Sequence, residues 1–302
     1  MKIRQLFEQC LLQEDLNFLL TNRIPRRSAT LFMGRFSKIR HPLIKYLSIR
    51  LWQFFSGADL SDAKKTDFNC LHDAFIRELR PGARTVNFKP NIIISPCDGI
   101  IGAHGSIDGT RVFQAKGFPY RLEDLLPTTA LVDQFRNGSY VTIRITAGMY
   151  HRFHAPLDCH INRVTYISGD TWNVNPIALK RVEQLFCKNE RAVIESTHHR
   201  QDGRTVPFLM VPVAAILVAS IRLHCLDTPL NLRYKGPNIL PTDYRARKGE
   251  ELGWFEHGST IILFFPEQMR FAPGIAENHP IRMGEPLMLF ANDGPELLPE
   301  SN

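Results

Sequence analysis

The sequence predicts an α+β fold, in which an amphipathic helical N-terminal segment precedes a β-rich core. Apolar residues recur at helical spacing in the first 80 residues, whereas short apolar runs punctuated by glycine and proline dominate from residue 90 onward. The chain has 302 residues, 44% of them hydrophobic and 22% charged, which is typical of a globular protein with a large buried core. A mean hydropathy of −0.17 argues against a polytopic membrane protein.

The helical segment is predicted to contain three helices, over residues 7–20, 42–55 and 59–79. Pro25 separates the first two, and Pro81 with Gly82 ends the third. In residues 42–55 the apolar side chains are spaced near 3.6 residues, which predicts one apolar face. That face can pack on the core or lie against a membrane.

The β-rich core is predicted from eight runs, and one helix over 176–186 interrupts them. Val141, Ile143 and Ile145 alternate with Thr142, Arg144 and Thr146, which is the period of a half-buried strand. The predicted strands cover residues 91–95, 111–116, 140–147, 161–168, 192–197, 206–221, 260–265 and 287–291. The uncharged run 206–221 contains two prolines and is too short to span a bilayer, so it is interpreted as buried strand.

The net charge of +7 is concentrated at the N-terminus. The first 50 residues hold ten Lys and Arg against three Asp and Glu, and the rest of the chain is neutral. A basic segment of this kind can bind nucleic acid, an anionic membrane or an acidic partner, and the charge alone does not choose among them. The N-terminal sequence resembles neither a secretory signal nor a transit peptide. Six irregularly spaced cysteines without a C-x-x-C pair favour a reducing compartment.

Three short stretches carry residues suited to chemistry. Asp98 lies in a predicted turn after an apolar strand, where ordinary turn chemistry also explains it. His151 and His154 follow the strand over 140–147 and are candidates for acid/base work, for metal binding on a shared helical face, or for ordinary surface histidines. Gly258 and Ser259 precede the strand over 260–265. A strained backbone at this glycine would favour attack of the serine hydroxyl on the preceding carbonyl, although a tight turn explains the pair equally well.

Three stretches, taken in their order along the chain, resemble the phosphatidylserine decarboxylase family. They are Ser-Pro-Cys-Asp98-Gly, Tyr-His151-Arg-Phe-His154-Ala-Pro and Gly-Trp-Phe-Glu-His-Gly258-Ser259-Thr. Supporting stretches are found at residues 31–42, 75–84, 116–126 and 189–191, so the similarity covers nearly the whole chain. The ordered set is far more specific than any one stretch.

The resemblance implies a proenzyme that cleaves itself between Gly258 and Ser259, giving a β chain of residues 1–258 and an α chain of residues 259–302. Asp98, His154 and Ser259 match the family's maturation triad, in which the histidine accepts the serine proton and the aspartate orients the histidine. Ser259 becomes a covalent pyruvoyl group, and neither pyridoxal phosphate nor a metal is expected. His151 matches the histidine linked to decarboxylation.

The resemblance further implies that phosphatidylserine is decarboxylated to phosphatidylethanolamine and CO2 through a Schiff base with the pyruvoyl group. Residues 1–88 are then expected to be a membrane-associating segment, and residues 89–302 the catalytic core. We expect a peripheral protein on the cytoplasmic side of the cell membrane, a homodimer of two-chain units, and no nucleic-acid partner.

The sequence departs from the family pattern at His257, where an apolar residue is usual, and at Ala214 and Ala219, where many members have glycine. Two other functions stay open at this point. One is a related pyruvoyl decarboxylase that acts on a soluble amino acid, and the other is a lipid-binding protein that never matures.

Overall fold

An eight-stranded antiparallel sheet forms the centre of the computed structural model, which describes residues 13–115, 118–217, 220–256 and 259–290. The strand order in this sheet is β12-β7-β8-β9-β14-β5-β2-β16. Three smaller sheets accompany it: β11-β10-β13-β6, β1-β17-β15 and β3-β4. The strands are β1 Ile92–Ile94, β2 Gly99–Ser106, β3 Arg111–Ala115, β4 Phe118–Arg121, β5 Ser139–Ile145, β6 Arg152–His154, β7 Cys159–Ile167, β8 Arg191–His199, β9 Thr205–Ala214, β10 Ser220–Leu223, β11 Leu230–Asn231, β12 Ile239–Ala246, β13 Glu251–Phe255, β14 Ser259–Phe265, β15 Met269–Phe271, β16 Pro280–Ile281 and β17 Pro286–Phe290.

The helices lie before and between these strands. They are α1 Glu14–Asn22, α2 Arg26–Phe36, α3 Pro42–Ser56, α4 Leu71–Phe75, α5 Leu122–Leu125, α6 Thr129–Phe135, α7 Pro176–Leu179 and α8 Leu185–Lys188. The predicted α+β class, with helices ahead of a β core, is confirmed. The predicted division at residues 88 and 89 stays a prediction.

The central strands are apolar on both faces because each face covers its own core. Ile261 and Leu263 of β14 belong to a cluster that also contains Phe153 and Phe255 of the four-stranded sheet. The alternate residue Ile262 belongs to a second cluster with Leu122, Phe135 and other residues of the short helices. This double burial explains why 260–265 reads as a continuous apolar run.

Three predicted elements are wrong in their extent. Residues 59–79 form a helix only at Leu71–Phe75. The Asp59 carboxylate accepts the Ser61 N–H at 2.8 Å, and Ala63 pairs with Leu79, so the segment folds back on itself instead of continuing a helix. The run 206–221 is broken after Ala214, where the chain turns and enters a different sheet. The helix over 176–186 is replaced by α7 and α8.

Helix α3 matches the helix predicted over 42–55, but its apolar residues are not core residues. None of its residues is buried, although Ile49 and Trp52 pack beside a small cluster around Ala74. Leu43, Leu47, Leu51, Phe54 and Phe55 are exposed. Within the described ranges, no helix is long and apolar enough to cross a membrane.

Candidate active site

Ser259 is the first residue of β14 and is fully buried. It lies opposite Ala214 of β9 and Ile145 of β5, so strands flank it on both sides. Its Oγ has no hydrogen-bond partner among the described residues. Gly258 and His257 lie outside the described residues, as does Ala219. Other buried hydroxyls, such as those of Thr142 and Thr260, also have no partner among the described residues, so it is the match of Ser259 to the Gly-Ser motif that singles it out.

Asp98 lies in the turn between β1 and β2, as the sequence predicts. Its carboxylate accepts Arg84 Nε at 2.9 Å, Arg84 Nη2 at 2.5 Å and the Met283 N–H at 2.9 Å. The register pairs Ile100 with Arg144, and Arg144 with Thr260. Asp98 and Ser259 therefore lie at the same end of the sheet, with their strands separated by β5.

His154 ends β6 and is held to the Asp98 turn through its backbone, because its N–H donates to the Pro96 carbonyl at 2.7 Å. Its Nδ1 lies 2.9 Å from the Gly249 carbonyl, so Nδ1 carries the proton. Its Nε2 lies 3.0 Å from the Tyr150 hydroxyl, which then donates to it. Burial lowers the pKa of His154, while the Gly249 hydrogen bond and the negative charges of Glu251 and Asp98 oppose that shift. The imidazole is thus a neutral base at pH 7.

His151 immediately precedes β6 and is fully buried. Its ring centroid lies 4.0 Å from that of Phe75, and its Nδ1 donates to the Met149 carbonyl at 2.8 Å. Its own carbonyl accepts the N–H of Phe255, the last residue of β13. His151 is therefore tied to the end of β13 that leads to Ser259.

The two histidines do not share a helical face, which removes the basis of the metal hypothesis. His154 is on a strand and His151 directly precedes it, and residues three apart along an extended chain point to opposite sides. Among the described residues, no group of three or more His, Cys, Asp or Glu is placed to hold a metal ion.

Asp98 and His154 lie beside one cavity, and Asp98 and Ser259 lie at the same end of the central sheet, but no hydrogen bond among the described residues joins the predicted triad. Neither Asp98 and His154 nor His154 and Ser259 are hydrogen-bonded in the described part of the chain. His154 lines a polar cavity of about 440 Å³ together with Arg84, Tyr150 and Met283. Asp98 reaches this cavity through Arg84 and Met283, and its charge acts on His154 through space.

A second, mostly apolar cavity of about 710 Å³ reaches the strands on either side of Ser259, where Ile145 and Ala215 belong to its lining. It is lined by Ile145, the β5 partner of Ser259, by Phe75, which stacks near His151, and by Trp52 and Phe55 of α3. The N-terminal helices thus supply one wall of a cavity whose opposite side is formed by the strands that flank Ser259. In the sequence, the aromatic residues of α3 are the one feature that belongs to this cavity, and nothing there indicates that they share it with the strand beside Ser259.

Sequence reasoning assigned no role to Arg84 and Tyr150, which the structure places in contact with Asp98 and His154. Both lie in stretches that carry the family resemblance. A hydrogen bond to Asp98 raises the pKa of Arg84, so this guanidinium is permanently charged beside the carboxylate. Burial raises the pKa of Tyr150, so its hydroxyl keeps the proton that it donates to His154.

Known proteins resemble the chain over most of its length. A sequence profile described as phosphatidylserine decarboxylase matches residues 71–289. A phosphatidylserine decarboxylase proenzyme of Methylibium petroleiphilum is 34% identical over 288 residues, which cover 93% of this chain and 99% of the relative. Proteins of the same name from Haemophilus influenzae and Chromobacterium violaceum are 32% and 33% identical, covering 87% and 91% of this chain and 92% and 99% of the relatives. These matches show that the chain belongs to the phosphatidylserine decarboxylase family.

Proposed function

We propose that this chain is a self-cleaving proenzyme which, once matured, decarboxylates phosphatidylserine to phosphatidylethanolamine and CO2. The observation that carries the proposal is Ser259, whose hydroxyl is buried without a partner in the described chain at the sheet end that Asp98 shares. Relatives that are called proenzymes match this chain almost from end to end.

Cleavage begins when Ser259 Oγ attacks the Gly258 carbonyl carbon and converts the peptide bond to an ester. His154 accepts the hydroxyl proton on its neutral Nε2, once the Ser259 hydroxyl takes the place of the Tyr150 hydroxyl that this nitrogen accepts in the structure. The negative charge of Asp98 favours the imidazolium that results. Loss of the Ser259 α-proton then expels the Gly258 carboxylate and separates residues 1–258 from residues 259–302.

The two fragments are expected to stay together after cleavage. Strand β14 pairs with β5 on one side and with β9 on the other, and all seven of its residues are buried. The new chain terminus therefore stays at the head of a strand held in the middle of the sheet. We also propose that these two-chain units form homodimers.

The buried, unsatisfied position of Ser259 fits a pyruvoyl group made in place. When present, that group supplies a ketone whose conjugated carbonyl accepts the electron pair released by decarboxylation. The apolar cavity is lined by aromatic side chains that can exclude water and hold lipid chains, namely Phe75, Trp52 and Phe55. His151, tied to the end of β13 that leads to Ser259, is proposed to transfer a proton during turnover.

The N-terminal helices are proposed to bind the anionic cytoplasmic face of the cell membrane. Eleven of the fourteen exposed large apolar side chains in the described ranges lie between residues 14 and 56. Lys38, Arg40, Lys45 and Arg50 accompany them, and each basic residue near an anionic surface contributes about 1 kcal/mol. The apolar cavity opens among these helices, which favours a lipid substrate over a soluble amino acid.

The experiment that tests the function compares the wild-type chain with Ser259→Ala. We expect intact-mass analysis to show two wild-type fragments that meet at the bond between residues 258 and 259, the second with a keto-blocked terminus, and to show a single chain for the variant. Vesicles that contain phosphatidylserine should release CO2 only with the wild type. An uncleaved wild-type chain, or turnover of free serine or tryptophan in place of the lipid, would refute the proposal.

A further inference from the structure

Glu190 is a buried carboxyl group whose hydrogen bonding is incomplete. Only 1% of the residue is exposed, and its Oε1 accepts the Tyr166 hydroxyl at 2.5 Å. Its Oε2 is buried and has no hydrogen-bond partner among the described residues. The flanking side chains differ, since Asn189 and Arg191 each bind several backbone groups that hold this segment in place. Packing accounts for its neighbours but leaves the carboxyl of Glu190 unexplained.

The sheet places Glu190 in the same cross-strand row as Ser259. The Ala214 N–H donates to the Glu190 carbonyl at 2.8 Å, and Ala214 is also the β9 residue opposite Ser259. Glu190 and Ala214 form a hydrogen-bonded antiparallel pair, and Ala214 and Ser259 form a non-hydrogen-bonded pair. The usual Cα–Cα spacings of these two kinds of pair together place the Cα atoms of Glu190 and Ser259 about 10 Å apart. The residue between them is alanine, so no long side chain of β9 separates the two.

Glu190 and Ser259 also point to the same face of the sheet. Tyr166, which binds Glu190, belongs to the core cluster on one face of the sheet. The same cluster contains the residues that lie an even number of positions from Glu190, Ala214 or Ser259 along their strands. These residues are Ala192 and Ile194 of β8, Met210 and Ala214 of β9, and Ile261 and Leu263 of β14. The residues out of step, such as Val193, Val213 and Ile262, belong to the cluster on the other face.

The backbone shows which hydrogen of Ser259 faces this carboxyl. The N–H and carbonyl of Ala214 are both turned toward β8, where they bind Glu190 and Asn189. Ser259 and Ala214 therefore do not bond to each other, and the N–H and carbonyl of Ser259 are turned toward β5. The Cα–H bond of Ser259 is then directed toward β9, on the Glu190 side.

We propose that Glu190 is the base that removes the α-proton of Ser259 in the second step of self-cleavage. The carboxylate takes the proton, the electron pair left on Cα forms the Cα–Cβ double bond, and the Cβ–Oγ bond breaks. The Gly258 carboxylate leaves with the electrons of that bond, so no oxidant or other reactant is needed. His154 serves the hydroxyl proton of the first step, and Glu190 the α-proton of the second. This inference rests on the proposed cleavage at Ser259.

The surroundings of Glu190 set the pH at which it can act. Burial raises the pKa of Glu190 to about 7, while the Tyr166 hydroxyl and the positive charge of Arg27 oppose the shift. A base acts in its ionised form, so fragment release should rise with pH up to about 7 and then level off.

The test follows fragment release from freshly made full-length precursor, with and without hydroxylamine, which cleaves esters but not peptide bonds. In Glu190→Gln we expect spontaneous release to slow by about 10²-fold and to lose its rise with pH. Hydroxylamine should still release residues 259–302, now with an unblocked serine terminus, because the ester continues to form. Ser259→Ala should resist hydroxylamine.

Glu195→Gln is the matched control, since it makes the same change within β8, the strand that Glu190 precedes, at a half-buried position away from this row. It should release fragments like the wild type. Tyr166→Phe keeps the carboxyl but removes a hydrogen bond that lowers its pKa, so it should move the pH profile upward. The inference would be overturned if Glu190→Gln and Tyr166→Phe both released fragments at the wild-type rate and with the wild-type pH profile. A folded Glu190→Gln precursor that resists hydroxylamine would also overturn it. Absence of cleavage in the wild type would instead refute the proposed function.

Discussion

The N-terminal helices and the central sheet use apolar side chains in opposite ways. Leu43 and Leu47 of α3 are 60% and 48% exposed, whereas Leu263 and Phe264 of β14 are fully buried. The helices carry the excess positive charge, and the sheet holds Ser259, at which we propose that the chain is cleaved. Apolar periodicity thus indicates that a face seeks a partner, but it does not say whether that partner is the protein's own core or a lipid surface.

The largest expected effects separate two histidines within the sheet region. His154→Ala should leave the precursor uncleaved, because the base for Ser259 Oγ is lost. His151→Ala should permit cleavage yet lower decarboxylation by about 10²- to 10⁴-fold, because proton transfer is lost. Intact mass reports cleavage, and CO2 release from phosphatidylserine vesicles reports turnover. An uncleaved His151→Ala chain would reassign that histidine to maturation.

A second comparison matches one aromatic residue from each region. On the uncleavable Ser259→Ala background, Phe264→Ala should lower the free energy of unfolding by about 3–5 kcal/mol, because it leaves a cavity in the core. Phe55→Ala should lower it by less than about 1 kcal/mol, because this ring is 47% exposed. Urea denaturation measures both. Equal losses would show that α3 is part of the folding core.

The burial of Glu190 predicts a pH dependence of stability. Its folded pKa of about 7 lies above the ordinary value of 4.5, so the folded state prefers the neutral carboxyl. The free energy of unfolding should therefore fall by about 3 kcal/mol as the pH rises from 4.5 through 7. On the Ser259→Ala background, Glu190→Gln should remove this decrease. Denaturation at pH 5 and pH 8 gives the difference, and the same pH dependence in both chains would contradict the prediction.

The smallest expected effect concerns the helices alone. Leu43→Ser with Leu47→Ser should weaken binding to anionic vesicles by about tenfold, because two apolar side chains no longer enter the interface. Stability and cleavage should not change. Ile239→Ser, which replaces an equally exposed residue of β12, serves as the control and should bind like the wild type. Unchanged binding in the double variant would place the membrane contact elsewhere.

Sequence patterns predicted the fold best where local periodicity and tertiary burial agree. Strand β5 was predicted because its alternation is regular, and β14 because it is apolar throughout. Residues 59–79 were predicted as a helix because their composition allows one, but Asp59 and the pairing of Ala63 with Leu79 favour turns. Strand β6 was missed because three residues are too few to show a period.

The candidate site was predictable to a similar extent. Asp98, His151, His154 and Ser259 were found because short motifs occur in a recognisable order. The contacts of Arg84 with Asp98 and of Tyr150 with His154 are short in sequence, but no periodic pattern reports them, because the chain between each pair turns irregularly. The place of Glu190 in the Ser259 row could not be predicted, because strand pairing joins segments far apart in the chain.

By itself, the sequence determined the family, the α+β class, the basic N-terminus and the serine at which cleavage is proposed. These depend on local patterns and on the order of motifs, which no folding is needed to see. Only the tertiary structure decided that α3 exposes its apolar face, that Arg84 takes the Asp98 carboxylate, and that Glu190 shares a row with Ser259. Strand register and burial arise from contacts between distant segments, and the free energy of those contacts is set by the assembled core.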